Sequence, residues 1–147
     1  MPDLAEELKN FGFEKKGDII LNGTEVLPEF NFINPPLDMS EGHVYLWVIE
    51  NDGIPFKVVY IGKAGKTLIK RFNQHKNGFK SNGGSKKGLS NGVELLNFLR
   101  KDTKIAFYAR QSQRIEILGQ PNISLCDAEE NALISYYKKD HPLFNKI

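Results

Sequence analysis

Three observations predict an α+β fold for this chain. β-branched and aromatic runs flank Asn51-Asp52-Gly53, as an antiparallel hairpin requires. A second hairpin signal, Asn22-Gly23, lies between Ile19–Leu21 and Thr24–Leu27. Segments with helical apolar spacing precede, separate and follow these strands. At 147 residues the chain is expected to form one domain with a single core.

In chain order, Leu4, Ala5, Leu8 and Phe11 give Asp3–Phe11 the spacing of a short amphipathic helix. The Asn22-Gly23 hairpin follows, and Phe30–Pro36 reads as irregular chain ending in Pro35-Pro36. Residues 1–40, helix plus hairpin, are expected to be an accessory layer on a core spanning 41–147. His43–Ile49 and Lys57–Ile61 are its paired strands, and Thr67 is placed to cap a helix running to about Lys76. Gly78–Asn91 is rich in Gly, Ser and Lys, hence a mobile basic loop. Asn91 and Glu94 have capping-box spacing for a helix to Lys101. Ile105–Ala109 and Arg114–Leu118 read as strands, Gly119-Gln120-Pro121 as a turn, and Asp127 to about Lys139 as a last helix. No internal repeat is apparent.

Composition narrows the class. A hydrophobic share of 40% and a charged share of 26% suit a soluble globular protein, and no apolar run approaches the length of a membrane span. The N-terminus, M-P-D-L-A-E-E-L-K, lacks the basic and apolar regions of a secretory signal. A lone Cys126 excludes an internal disulfide, and with three scattered histidines it cannot form a structural zinc site. A cytoplasmic location with no membrane partner is expected.

The net charge of +2 hides a strong asymmetry. Lys57 to Val93 carries nine basic residues, at 57, 63, 66, 70, 71, 76, 80, 86 and 87, and no Asp or Glu. The rest of the chain holds 20 − 9 = 11 basic against 18 acidic residues. One cationic segment on an acidic body attracts a polyanion at a single surface. Lys66, Lys70, Lys76, Lys80, Lys86 and Lys87 are the candidate nucleic-acid contacts. A solvated charged face is the plain alternative for such a run.

The chemistry concentrates around V-V-Y-I-G-K-A-G-K-T-L-I-K-R-F-N-Q-H at Val58–His75, preceded by His43-Val44-Tyr45. Two tyrosines on neighbouring strands, a Gly-punctuated turn and an Arg/His pair one helical turn apart are what a phosphodiester-cleaving site needs. Arg71 and His75, four apart, project together beside a Leu68/Phe72 stripe. An arginine fork grips phosphate with two parallel charge-assisted hydrogen bonds. On the last helix Glu130 shares a face with Leu133, Ile134 and Tyr137, while Glu129 points about 100° away, toward solvent. A carboxylate driven toward an apolar face needs a cation or hydrogen bonds to offset desolvation. A capping box between Asp127 and Glu130 is the structural alternative.

From His43 to Asn145 the chain resembles a GIY-YIG nuclease domain. His43-Val44-Tyr45 stands where the family has its first tripeptide, and Tyr60-Ile61-Gly62 matches the second. Arg71 and His75 correspond to the helix arginine and the histidine four residues on. Glu130 with Leu133-Ile134, and the closing Pro142-Leu143-Phe144-Asn145, correspond to the terminal glutamate helix and asparagine. The first tripeptide has lost its glycine and isoleucine; Tyr45 is kept, and His43 is read as structural. Lys63 after the second motif is unusual, placed either to meet a phosphate, to acidify a neighbouring phenol, or simply to face solvent.

The resemblance implies a small, mostly antiparallel central sheet flanked by helices, and phosphodiester hydrolysis with one divalent ion, Mg²⁺ or Mn²⁺. Glu130 would hold the metal, Arg71 would neutralise a non-bridging oxygen, and Tyr45 would be the general base. A free tyrosine titrates near pH 10, so Tyr45 is expected to be acidified by the metal, Arg71 or Lys63. Tyr60 and His75 would orient water and phenol, and Asn145 would brace the site. One well-placed carboxylate is too few for a two-metal clamp.

The expected activity is that of a metal-dependent DNA endonuclease, restriction-type and able to act as a homodimer on DNA. The chain given stops two residues after Asn145. Recognition is therefore expected from the segment Lys76–Lys101 and the N-terminal 40 residues. Structure-specific repair, mobile-element or RNA cleavage, and a nucleic-acid-binding module that has lost hydrolysis, are the alternatives. Phe79 and Tyr108 are aromatics whose base-reading or core role the pattern leaves open.

Overall fold

A computed structural model describes residues 3–21, 28–33, 41–78, 93, 95, 97, 99 and 103–143. Helix α1 is Leu4–Asn10. Asp3 caps it, its carboxylate accepting the Glu6 N–H at 2.8 Å, and Gly12 at φ 83° turns the chain out of it. Strands β1 (Glu14–Leu21), β2 (Pro28–Phe32), β3 (His43–Asn51), β4 (Ile54–Ala64) and β5 (Lys104–Gln111) form one antiparallel sheet in the order β2-β1-β5-β3-β4. Helix α2 is Leu68–Gly78; β6 (Arg114–Ile117) and β7 (Gln120–Ser124) form a separate two-stranded ribbon; α3 is Cys126–Tyr137. Val93, Leu95, Asn97 and Leu99 are helical, within the segment expected to be a helix.

The sheet divides two cores. On one face Tyr45, Trp47, Tyr60 and Phe107 pack with Leu68 and Phe72 of α2, with Leu95, and with Phe30 and Phe32 of β2. On the other face Val44, Leu46, Val48 and Ile61 pack with Leu8 of α1 and with Cys126, Ile134 and Tyr137 of α3. β3 is buried on both faces from His43 to Glu50, because β4 and β5 flank it and helices cover it above and below. The β3–β4 hairpin closes with Asp52 at φ 51° and Gly53 at φ 77°, a turn whose twist suits antiparallel strands. None of the described helices is long and apolar enough to cross a membrane.

Several expectations need correction. The partner of β1 is Pro28–Phe32, so Phe30–Phe32 is strand rather than irregular chain; Thr24–Leu27 and Pro35-Pro36 lie outside the described residues. Both N-terminal strands lengthen the central sheet, β1 pairing directly with β5. The turn expected at Gly119-Gln120-Pro121 is Leu118-Gly119, both at positive φ, and Gln120 and Pro121 begin β7. Proline is tolerated there because the ribbon has no further neighbour that needs its N–H. Residues 79–92, which contain most of the expected loop, are not among those described.

Candidate active site

Cross-strand register sets the first half of the site. Tyr45 pairs with Gly62 and Trp47 with Tyr60, which puts both tyrosines on the α2 face of the sheet. The Tyr45 ring lies over Gly62 so closely that a Cβ built there would be 2.4 Å from its Cζ and hydroxyl oxygen. The glycine of Tyr60-Ile61-Gly62 is thus required by the tyrosine of His43-Val44-Tyr45. Tyr60 stacks on Trp47 with centroids 4.2 Å apart. His43 is buried at the head of β3, in keeping with a structural reading.

Helix α2 brings the second half. Thr67 opens it, accepting the Lys70 N–H at 3.3 Å through its side chain and the Arg71 N–H at 3.2 Å through its carbonyl. Leu68 and Phe72 bury against the sheet, and Arg71 and His75 then fall over Tyr45. Arg71 Nε donates to the Tyr45 hydroxyl at 3.2 Å, and that hydroxyl forms a short hydrogen bond with His75 Nε2. Arg71 also bonds the Tyr60 hydroxyl, and its Nη1 donates to Gln74 Oε1 at 3.1 Å.

Electrostatics follow from this enclosure. Tyr45 is 0% exposed; burial pushes its phenol well above the ordinary value, Tyr60 pushes the same way, and Arg71 opposes both. Burial also raises Tyr60. The expected acidification of Tyr45 is therefore reversed in the protein alone. Burial, helped by the charge of Arg71, lowers His75 to about 3, so its imidazole is neutral. The Tyr45 hydroxyl thus joins Arg71 Nε and the neutral His75 ring in one hydrogen-bonded chain.

Glu130 arrives from the opposite face. Helix α3 packs chiefly on β4, the edge strand, and Glu130 is half-buried there. Its charge raises both Tyr45 and Tyr60, which places it within electrostatic reach of the phenols. The capping-box alternative does not occur: Leu125 is the N-cap and makes no side-chain cap bond. Glu129 does not point to solvent as expected. It bends back to accept the Gln113 N–H at 2.8 Å and to face Arg110 Nε at 3.6 Å, because the residue preceding β6 lies beside the first turn of α3.

Other candidates separate clearly. Lys63, two residues beyond Ile61, projects from the α3 side of β4 and pairs with Asp127, away from the phenols. Lys66 and Lys70 are exposed at the start of α2. Lys80, Lys86, Lys87, Phe79 and Asn145, and the side chain of Lys76, lie outside the described residues. Tyr108 is core, donating to the buried Glu50 at 3.0 Å. Sequence reading missed Gln74 and Trp47. The first could have been found from its i+3 spacing to Arg71; the second left no signal beyond its place on the strand.

Among the described residues no group of three or more His, Cys, Asp and Glu side chains could hold a metal ion alone. The donor set nevertheless fits a hard divalent cation. Mg²⁺ keeps several waters and takes one or two carboxylates plus phosphate oxygens, and Glu130 supplies such a carboxylate.

No protein-family model matches the sequence, and no curated protein matches it significantly. Solved structures do match. A glutamate-to-alanine variant of bacteriophage T4 EndoII superposes with a TM-score of 0.70 and 22% identity, over 96% of this chain and 98% of the other. The restriction endonuclease HPY188I, in complex with product DNA, superposes with a TM-score of 0.54 and 25% identity, over 95% of this chain and 82% of the other. With its five-stranded antiparallel sheet and helices on both faces, the chain has a GIY-YIG-like nuclease fold.

Proposed function

We propose that the chain is a DNA endonuclease of restriction type, hydrolysing phosphodiester bonds in the cytoplasm with one divalent ion, Mg²⁺ or Mn²⁺, held by Glu130. One observation carries the reading: Tyr45, Tyr60, Arg71 and His75 meet in a single hydrogen-bonded cluster with Glu130 in electrostatic reach. The likeness to a restriction endonuclease bound to product DNA supports DNA as the partner. The cationic start of α2, with exposed Lys66 and Lys70, supports a polyanionic substrate. Residues 41–147 would carry the chemistry, 1–40 would serve recognition, and two copies on one duplex would cut both strands.

The residues divide the work as follows. Arg71 is oriented before substrate arrives, by Tyr45 and Gln74, and its fork takes a non-bridging phosphate oxygen. A bound divalent cation supplies charge neutralisation at the scissile phosphate and the leaving oxygen. Tyr45 is the general base, its hydroxyl held by His75 Nε2 and Arg71 Nε. Tyr45 would act as the phenolate, its proton given up to solvent, and the charge of Arg71 favours that form against the effect of burial. The phenol oxygen then takes the proton of the attacking water. Tyr60 holds Arg71 and Tyr45 in register, and Asn145 would brace the site.

Plasmid incubated with the protein and Mg²⁺ tests this. Cutting by wild type, lost in Glu130→Ala and in Arg71→Ala, is the expected result. Binding without cutting by all three would identify an inactive binding module. RNA offered alongside decides substrate class, and mapped plasmid ends decide role: discrete sites mark restriction, scattered nicks a structural or mobile-element target.

A further inference from the structure

The β6–β7 ribbon has no place in the chemistry above. All of β6 and nearly all of β7 are exposed, and the two strands pair only with each other. Its tip is unusual. Leu118 is 96% exposed and sits at φ 50°, where a bulky side chain is disfavoured and Asn or Gly is common. Asn122 lies in a bulge of the opposite strand at φ 59°. A large apolar side chain held out in water on a conformation that resists it is neither core nor a neutral turn choice.

The root of the ribbon is tied to the elements that build the site. The Ser112 N–H donates to the Gly42 carbonyl at 2.9 Å, and Arg114 donates to the Glu41 carbonyl, just before the strand of Tyr45. Gly42 in turn donates to the Lys66 carbonyl at 3.3 Å, at the cationic entrance to α2. On the other side the Leu125 N–H donates to the Gln113 carbonyl at 2.9 Å, and the Gln113 N–H donates to Glu129, the neighbour of Glu130. The ribbon is thereby fixed in direction beside Tyr45, Glu130 and the basic face.

We propose that this ribbon is a groove-reading arm for duplex DNA, entering the groove next to the scissile phosphate with Leu118 at its tip and the amides of Gln120 and Asn122 behind it. The proposal rests on the nuclease reading above. A two-stranded ribbon fits a major groove about 12 Å wide, and the four-residue step from Arg114 to Leu118 reaches about 13 Å at strand rise. Amide side chains match the adenine edge, and an apolar tip matches the thymine methyl. Arg114 and Glu116 cancel in charge, so what the arm adds to duplex affinity comes from its groove contacts and not from net charge.

Leu118→Gly and Asn122→Gly both suit positive φ and remove the apolar tip and one of the two amides without straining the turn. Fluorescence anisotropy with a mixed-sequence duplex pool in Ca²⁺ should show the double variant binding about tenfold more weakly than wild type, with an undiminished melting temperature. Unchanged duplex affinity overturns the proposal. So does a shift from dimer to monomer in sedimentation with per-protomer affinity kept, which would make the ribbon a contact between copies. Hydrolysis of bis(p-nitrophenyl) phosphate by wild type but not by Glu130→Ala tests the nuclease reading separately. Its failure would leave the anisotropy comparison to decide the arm.

Discussion

Gly62→Ala should damage the site although it adds a single methyl group. The new Cβ would stand 2.4 Å from Tyr45 Cζ and 2.8 Å from Cε2, whereas carbon atoms pack at about 3.5–4.0 Å, so about 1 Å of clearance has to be made. Neither partner can easily give way. Tyr45 is fully buried, with the Phe72 ring edge-on at 4.9 Å and His75 at 5.7 Å between centroids, and β3 is pinned on both sides by β4 and β5. Overpacking of this kind costs about 1–3 kcal/mol. If the phenol swings, each bond it loses, to His75 or Arg71, adds about 1 kcal/mol. Urea unfolding followed through the single tryptophan, Trp47, measures the first effect, and plasmid cleavage the second. Gly65→Ala is the control, because nothing lies within 4 Å of a Cβ there. A Gly62→Ala protein as stable and as active as wild type would refute the packing of Tyr45 on Gly62.

Acidification should destabilise the fold through His75. Its folded pKa of about 3 lies below the ordinary 6.5, so the unfolded chain binds the proton first and stability falls as pH drops below 6.5. The loss reaches about 2 kcal/mol by pH 5, and His75→Gln should flatten it in urea titrations at pH 7 and pH 5; an unchanged slope would show that His75 is not held neutral. His141, also lowered, acts in the same direction. Tyr45→Phe should abolish plasmid cutting and lower stability by about 1–3 kcal/mol, since His75 and Arg71 both lose a partner; retained cutting would remove Tyr45 as the base. Glu7→Ala should lower the urea midpoint, because the Glu7 carboxylate accepts the Tyr137 and Tyr136 hydroxyls at 2.7 Å and joins α1 to α3. Loss of the buried Tyr137 bond alone is worth about 1–3 kcal/mol, and a midpoint equal to wild type would count against that clamp.

What could be read from sequence was what local chemistry decides. Asp52-Gly53 specifies its own turn, Asp3 and Thr67 their own caps, and the four-residue spacing of Arg71 and His75 their shared direction. β2 escaped because Pro28 and the alternation at Phe30 and Phe32 make sense only once β1 lies alongside. β7 escaped because Gln120-Pro121-Asn122 looks like loop, and a turn led by Leu118 breaks the residue preference that would have announced it. Glu129 was misplaced because helix periodicity says which way a side chain leaves the axis, not what waits there; Gln113 and Arg110 come from a distant part of the chain. That Tyr45, Arg71 and His75 would meet could be expected from strand pairing and helix spacing, but the upward shift of Tyr45 could not, since it depends on burial by distant parts of the chain.

The proposed site draws residues from opposite faces of the sheet, and the position of β4 bears on how they come near one another. A carboxylate on a helix beneath β3 would be screened from Tyr45 by the strands on both sides. Helix α3 instead packs chiefly on β4, the edge strand, and the charge of Glu130 is felt by both phenols of the other face. Lys63 serves the same end: it leaves β4 on the α3 side and pairs with Asp127, one turn before Glu130, tying the helix to the strand that carries Tyr60. Such an exposed pair adds little stability, so its value lies in registering the two elements. Burial then makes the free phenol a poor base. In the proposed mechanism the free protein keeps the Tyr45 proton, because burial raises the phenol and the charge of Arg71 only partly opposes it.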